Sequence, residues 1–261
     1  MENTKNNLFC GISLNILKII GIITMLIDHV AVYFSYKLTP EIYFVCRVIG
    51  RIAMPLFVFI LVQGYIHTSN LKKYILRLGG LAIVTQLLLI ILTYINKNYF
   101  INYMNNLGGI LNILFSFVLS LILLKSLDTN KKFITKFNKY LNFIFRIISI
   151  ICVIVIYYYL NIDYKFVVPI MAVNFFAFER IKQKTKNENL NLFFTSIELV
   201  LMMVIAIIYN RIEMYTIVDV LLLLLYNGKK KNRLELNKIF TYAFFPIHHF
   251  ILYLVAMLIG G

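Results

Sequence analysis

Residues 14–33 read LNILKIIGIITMLIDHVAVY, and this stretch decides the fold class. It is predominantly apolar, and a helix of this length, with a rise of about 1.5 Å per residue, spans the roughly 30 Å hydrocarbon core of a bilayer. A segment that crosses lipid must satisfy its own backbone hydrogen bonds, which favours an α-helix. The stretch therefore predicts a membrane-spanning helix that carries Asp28 and His29 near its end.

The composition of the whole chain supports the same environment. Of 261 residues, 61% are hydrophobic and 14% are charged, whereas a soluble domain has about 45–50% apolar and about 25% charged residues. We therefore predict an all-α, polytopic membrane helical bundle that forms a single domain over residues 1–261. About nine transmembrane helices are expected from the apolar runs, at Leu14–Tyr33, Ile42–Tyr65, Tyr74–Ile95, Gly109–Leu127, Leu141–Leu160, Phe166–Phe178, Leu192–Tyr209, Ile212–Tyr226 and Ile239–Ile259.

Lysine and arginine are distributed unevenly between the predicted connections. The N-terminal segment and every second connection carry most of them, and the alternate connections hold only Lys37, Lys97, Lys165 and Arg211. Because cytoplasmic loops are enriched in these residues, we predict a cytoplasmic N-terminus and an extracytoplasmic C-terminus in the cell membrane.

Charge and cysteine usage argue against two other classes of protein. The net charge of +15 arises mainly in the connections, so it reports topology and gives no reason to expect a nucleic-acid partner. Cys10, Cys46 and Cys152 lie in or beside apolar segments without CxxC spacing. Their spacing predicts neither a metal site nor a disulfide framework.

Ionisable residues inside the predicted spans point to a functional site. A charge near the bilayer centre costs about 2.5–3.5 kcal/mol on insertion scales. Asp28 and His29 lie about 21 Å along the first span, and Arg47 and Arg51 share one face of the second. An aspartate that pairs with an arginine can also be a structural contact that only fixes helix packing. A buried pair is a poor stabiliser, which weakens that alternative.

Histidines and a proline add to this pattern in the last span. His248 and His249 follow Pro246 near its middle, and proline can kink a helix and make room for water or substrate. Asp219, near the outer end of the short eighth segment, is expected to be partly solvated. We predict one shared hydrated pocket for the candidate catalytic residues, which are Asp28, His29, Arg47, Arg51 and His248.

Basic residues also cluster at the predicted cytoplasmic mouth of the second span. They are His67, Lys72, Lys73 and Arg77. One interpretation is that they anchor the helices at the cytoplasmic face. The alternative is a rim that binds the phosphates of an anionic cosubstrate.

The order of these motifs resembles the TraX family of membrane proteins. The resemblance lies in residues 17–20 (LKII), 25–29 (MLIDH), 47–57 (RVIGRIAMPLF), 63–68 (QGYIHT) and 73–77 (KYILR). Looser matches occur at 111–115 (LNILF), 163–164 (DY) and 245–248 (FPIH). The family usually has glycine after Asp-Tyr, and this chain has Lys165 there.

The resemblance implies an activity. The best-known family member acetylates the N-terminal amine of a pilin, and related transmembrane acyltransferases take acetyl from cytoplasmic acetyl-CoA. It implies a membrane acetyltransferase whose acceptor is an amine or hydroxyl of a pilin, peptide or glycan. A proton-coupled transporter and a non-catalytic assembly protein are the alternatives.

Roles for the ionisable residues follow from that chemistry. A neutral histidine suits proton removal from the acceptor, with His29 as first choice and His248 as second. Arg51 is expected to stabilise the oxyanion or hold an acceptor carboxylate, and Arg47 to position Asp28. The phosphates of acetyl-CoA are expected at the basic rim, formed by His67, Lys72, Lys73 and Arg77.

Overall fold

The computed structural model describes residues 11–95, 111–129, 139–185, 187–228 and 238–260. These residues form ten α-helices and two short 3-10 helices, η1 (Ser35–Lys37) and η2 (Arg211–Thr216), without a β-strand among them. The α-helices are α1 (Leu14–Tyr33), α2 (Pro40–Gly50), α3 (Ala53–His67), α4 (Leu71–Ile95), α5 (Ile113–Leu127), α6 (Lys139–Tyr159), α7 (Val167–Lys184), α8 (Glu188–Tyr209), α9 (Ile217–Leu224) and α10 (Lys238–Gly260). The predicted all-α class is confirmed.

Six helical segments among the described residues are long and apolar enough to cross a membrane, which makes the chain a membrane protein. They are 14–33, 40–67, 71–92, 139–159, 188–209 and 241–259. The fourth, sixth and eighth predicted spans are less regular: α5 has 15 residues, α7 ends in a charged segment, and the eighth divides into η2 and the eight-residue α9. Gly109 and Lys97 lie outside the described residues.

The second predicted span consists of two helices. Helix α2 ends at Gly50 and α3 begins at Ala53. Between them, the Arg51 N–H donates to the Val48 carbonyl at 3.2 Å and the Ile52 N–H donates to the Ile49 carbonyl at 3.3 Å. Such bonds over three residues tighten the backbone into a 3-10 turn. Arg51 therefore lies at the interruption between the two helices of this span.

Polar caps fix where the first two helices begin. The Ser13 hydroxyl accepts from the Ile16 N–H at 3.4 Å, and the Thr39 hydroxyl accepts from the Ile42 N–H at 3.4 Å. Pro40 occupies the first position of α2, where its missing N–H costs nothing. These caps fix the first turns of the two helices that carry Asp28, His29 and Arg47.

The interior and the periphery of the bundle are both apolar. Helices α1, α3, α5 and α7 bury Leu17, Leu56, Leu121 and Phe175, all 0% exposed, in one core cluster. Helices α6 and α8 turn many large apolar side chains outward, among them Val200 at 60% exposure. An outward apolar surface of this kind fits contact with lipid.

A tight connection joins α6 to α7. The Leu111 N–H donates to the Asn161 carbonyl at 3.0 Å, and the Asp163 N–H donates to the Leu111 carbonyl at 2.9 Å. Tyr164 and Lys165 then take φ values of 58° and 41°. A left-handed backbone at a residue with a Cβ costs roughly 1–2 kcal/mol. Lys165 therefore carries strain at the position where glycine was expected.

Candidate active site

The carboxylate of Asp28 lies at the centre of the ionisable residues. Arg47 Nη1 donates to its Oδ2 at 2.8 Å, and Arg51 Nη2 donates to its Oδ1 at 2.9 Å. All three side chains are largely buried. Two arginines that are four residues apart therefore share one carboxylate.

Gly50 permits this contact. A Cβ built on Gly50 would overlap the carboxyl group of Asp28. The carboxyl group therefore lies directly against the backbone of α2, and only glycine leaves room for it there.

Arg51 also bonds a residue that sequence analysis missed. Its Nη1 donates to Glu213 Oε1 at 2.9 Å and its Nε donates to the Arg47 carbonyl at 3.1 Å. Glu213 lies on η2 and is 0% exposed. The available signal was an acidic residue at the start of an otherwise apolar segment. Arg51 thus connects α1, α2 and η2 through charged hydrogen bonds.

Three histidines from α1 and α10 lie close together. His29 Nδ1 is 2.6 Å from His248 Nε2, and the ring centroids of His29 and His249 are 4.6 Å apart. His248 Nδ1 donates to the Phe244 carbonyl at 2.8 Å, and His249 Nδ1 is 3.2 Å from the Tyr33 hydroxyl. The structure therefore brings α1 and α10 together at their histidines.

A cavity of about 590 Å³ extends along these residues. At one end it is lined by Asp28, His29 and His249, and elsewhere by His67 and Arg77. Arg47, Arg51 and His248 are not among its lining residues, so they reach the cavity through their contacts with Asp28 and His29. Of the candidate catalytic residues, Asp28 and His29 thus line the predicted pocket. The other three contact these two residues from outside the pocket.

Only two of the four predicted rim residues, His67 and Arg77, line the cavity. His67 lines the cavity and its Nδ1 donates to the Gln63 carbonyl at 2.9 Å. Lys72 and Lys73 are exposed and lie outside the lining. Lys18, from the first turns of α1, lines the cavity and was not among the predicted rim residues. Its only sequence signal was a cation inside an apolar run.

Asp163 also lines the cavity. Burial raises the pKa of its carboxyl group to about 7, although the Tyr164 N–H and Arg51 oppose the rise. The Tyr164 N–H donates to Asp163 Oδ1 at 3.0 Å. A carboxyl group that titrates near neutral pH thus lies on the wall of the cavity, contributed by the connection between α6 and α7.

The expectation of partial solvation for Asp219 was wrong. The residue is 0% exposed in α9. Its position near the end of a short apolar run gave no sign of that burial.

Comparison with known proteins identifies the family. A family model described as TraX protein matches residues 13–256. The chain belongs to the TraX family. This TraX match includes all four histidines and the basic rim, so the resemblance seen mainly in the first part of the sequence extends over most of the chain.

One relative of this TraX chain carries a functional description. The probable fimbrial assembly protein FimC, serogroup H1, of Dichelobacter nodosus is 39% identical over 70 residues. The match covers 27% of the TraX chain and 28% of that relative. No solved structure matches the chain.

Proposed function

We propose that this TraX-family chain is a membrane acetyltransferase that moves acetyl from cytoplasmic acetyl-CoA to an amine or hydroxyl acceptor in or across the membrane. The observation that carries the proposal is the cavity of about 590 Å³ that reaches from Lys18, His67 and Arg77 to Asp28 and His29. Cations suit the phosphates of the cosubstrate, and a buried imidazole suits proton transfer.

The orientation of the chain is part of the proposal. A cytoplasmic N-terminus, an extracytoplasmic C-terminus and about nine spans in the cell membrane place the rim on the side that holds acetyl-CoA. The shorter α5, α7 and η2–α9 segments then complete the six longer spans. The pantetheine arm extends inward from the rim, and the thioester comes to lie beside His29.

The hydrogen bonds of the histidines suggest which nitrogen is the base. A carbonyl only accepts, so His248 Nδ1 carries its proton towards Phe244 and His248 Nε2 is an acceptor. His29 Nδ1–H then donates to His248 Nε2, and His29 Nε2 keeps its lone pair. His248 thereby holds the His29 ring in one tautomer.

The reaction is a simple acyl transfer. The acceptor nitrogen or oxygen attacks the thioester carbonyl, and its proton passes to His29 Nε2. The carbon–sulfur bond then breaks, and the leaving thiolate of coenzyme A takes that proton. The acetyl group ends on the acceptor, and His29 returns to its neutral form.

The arginines are assigned a supporting role. Arg51 donates to Asp28, Glu213 and a backbone carbonyl, and neither Arg51 nor Arg47 lines the cavity. We therefore regard them as positioning residues that fix Asp28 beside His29. Lys72 and Lys73, which are exposed, attract the phosphates by charge at the mouth.

The acceptor is proposed from the relatives. A pilin or peptide N-terminus is favoured, because the matching part of the chain is shared with a probable fimbrial assembly protein, and a glycan hydroxyl is the alternative substrate. The same name favours a second candidate function, a membrane assembly protein without catalysis.

The test uses the purified full chain in lipid nanodiscs with radiolabelled acetyl-CoA and a synthetic peptide with a free N-terminal amine. The wild type is expected to label the peptide or to release coenzyme A by hydrolysis. His29→Ala should lose both activities, because the base is gone, while it elutes and unfolds like the wild type.

A matched control and the contrary outcomes complete the test. Asp128→Asn alters a buried carboxylate that does not line the cavity, and its folded fraction should keep the activity. Wild-type turnover by His29→Ala would remove His29 from the mechanism. A wild type with no transfer and no hydrolysis would contradict the enzyme, and substrate uptake into vesicles would then favour transport.

A further inference from the structure

The cluster of His29, His248 and His249 has a property that acyl transfer does not require. One ring nitrogen from each residue lies within 4.8 Å of the other two. His248 and His249 are neighbours on α10 and point about 100° apart, yet their ring centroids are 4.9 Å and 4.6 Å from that of His29. All three imidazoles therefore surround one small volume.

The spacing suits a tetrahedral ion. Zinc–nitrogen bonds of about 2.0–2.1 Å place two tetrahedral ligand nitrogens about 3.3 Å apart. The 2.6 Å between His29 Nδ1 and His248 Nε2 and the upper limit of 4.8 Å for the set lie on either side of that value. A bound ion takes the place of the proton between these two nitrogens, because ligand nitrogens must be deprotonated. The metal-bound chain is therefore a state distinct from the one in which His29 Nε2 acts as the base.

The rings of His248 and His249 make second hydrogen bonds of the kind that orient histidine ligands in metal sites. A histidine ligand usually donates its second ring N–H to a carbonyl, a carboxylate or water. His248 does so through Nδ1 to the Phe244 carbonyl at 2.8 Å. His249 Nδ1 contacts the Tyr33 hydroxyl at 3.2 Å. These bonds turn the opposite ring nitrogens towards the cluster.

We propose that His29, His248 and His249 form a binding site for a divalent transition-metal ion of the zinc class. Neutral imidazole nitrogens suit Zn²⁺, Co²⁺, Ni²⁺ and Cu²⁺, whereas Mg²⁺ and Ca²⁺ require oxygen ligands. Three protein ligands leave one tetrahedral position, and the cavity that His29 and His249 line can supply its ligand.

The surrounding charges define what fills the fourth position. Asp28 and Asp163 are the carboxyl groups that line the cavity with His29 and His249. Asp28 already accepts hydrogen bonds from Arg47 and Arg51. A hydroxide or another small anion from the cavity is the expected fourth ligand, and because the imidazole ligands must be deprotonated, binding should strengthen as pH rises.

The test measures the metal directly, without acetyl-CoA, and so it does not depend on acetyl transfer. The full chain is purified with a tag that lacks histidine, stripped with a chelator and dialysed against Zn²⁺ or Co²⁺. We expect about one bound Zn²⁺ per wild-type chain by mass spectrometry. Bound Co²⁺ should show the intense visible absorption of a tetrahedral site.

Histidine variants provide the matched comparison. His248→Gln and His249→Gln keep a side chain of similar polarity and should each lower zinc affinity at least tenfold, with the loss of the cobalt spectrum. His67→Gln removes the other described histidine, which lies outside the cluster, and should bind as the wild type does. Equal zinc binding by all four proteins, or none by the folded wild type, would overturn the proposal.

Discussion

Two buried ionic clusters in this chain make similar hydrogen bonds, but only one of them contributes a carboxylate to the cavity. In the Asp28 cluster (Asp28, Arg47, Arg51, Glu213), one carboxylate accepts from two arginines. In the Asp128 cluster (Asp128, Tyr65, Arg146, Arg180), Asp128 Oδ2 accepts from Arg180 at 2.8 Å and from the Tyr65 hydroxyl at 3.0 Å. Both carboxylates are nearly inaccessible.

The difference lies in what the carboxylates adjoin. Asp28 lines the cavity beside His29, and none of the four residues of the Asp128 cluster lines it. Arg146 instead donates to the carbonyls of Ser126 and Asp128 at 2.7 Å and 2.8 Å. These bonds cap the C-terminal end of α5. A buried ion pair alone therefore does not indicate a site. The Asp28 cluster differs because its carboxylate and His29 both line a cavity.

The largest effect is expected from removing each carboxylate charge. Asp28→Asn leaves two arginines buried with side-chain exposures of 12% and 7%, and breaking such a pair costs about 3–5 kcal/mol. In Asp128→Asn the Arg180 side chain, 23% exposed, can reach water, so about 1–3 kcal/mol is expected. Thermal unfolding in detergent measures both variants.

Activity sharpens that comparison. Acetyl transfer per folded molecule should fall in Asp28→Asn and persist in Asp128→Asn. Equal losses of stability and of transfer in the two variants would show that the clusters serve the same purpose.

A second pair of variants tests the packing against Asp28. Gly50→Ala forces its Cβ into the Asp28 carboxyl group, and overpacking of this kind costs about 1–3 kcal/mol. Gly80→Ala adds a Cβ to α4 with nothing within 4 Å, so it should be neutral or stabilise by about 0.5–1 kcal/mol. Unfolding midpoints decide between them, and a harmless Gly50→Ala would contradict the close contact.

The pKa of Asp163 predicts how stability depends on pH. Burial raises this pKa from 3.8 to about 7, so between these values the folded chain binds the proton more tightly than the unfolded chain. The free energy of unfolding should therefore fall as pH rises through that range.

The matched variant isolates this contribution. Asp163→Asn removes the titrating group, and its stability should depend less on pH between about 4 and about 7. Identical pH profiles for the wild type and the variant would show that Asp163 is not a buried proton site.

The smallest effect is expected at the connection between α6 and α7. Lys165→Gly should stabilise the chain by up to about 1 kcal/mol, because glycine adopts the φ of 41° without strain. Lys165→Ala loses the same side chain but keeps the Cβ and should show no gain. If both variants behave alike, the backbone strain is not what matters there.

Sequence alone predicted the elements that follow from hydrophobicity and short spacing. The helical class, the first span and the contact of Arg47 with Asp28 were predicted from apolar runs and from the ionisable residues within them. Glu213 was missed because its partner, Arg51, lies 162 residues away in the chain. The break at Arg51 was missed because the run from 42 to 65 stays apolar on both sides of it.

The cavity was predictable in part. His29 and His67 were identified as unusual ionisable residues, but which cations face inward depends on helix rotation. Lys18 therefore lines the cavity, and Lys72 and Lys73 do not. The count of nine spans was predicted from apolar runs, and the orientation was predicted from the positions of lysine and arginine.

The most direct test of the account asks whether acetyl-CoA enters the cavity. Leu61 and Leu124 are both buried, at 3% and 0% exposure, and of the two only Leu61 lines the cavity. Each is changed to cysteine in a background without Cys10, Cys46 and Cys152, and the rate of labelling by N-ethylmaleimide is measured. Acetyl-CoA is predicted to slow labelling several-fold in Leu61→Cys and to leave Leu124→Cys unchanged. Labelling of Leu61→Cys that acetyl-CoA does not alter would contradict the account.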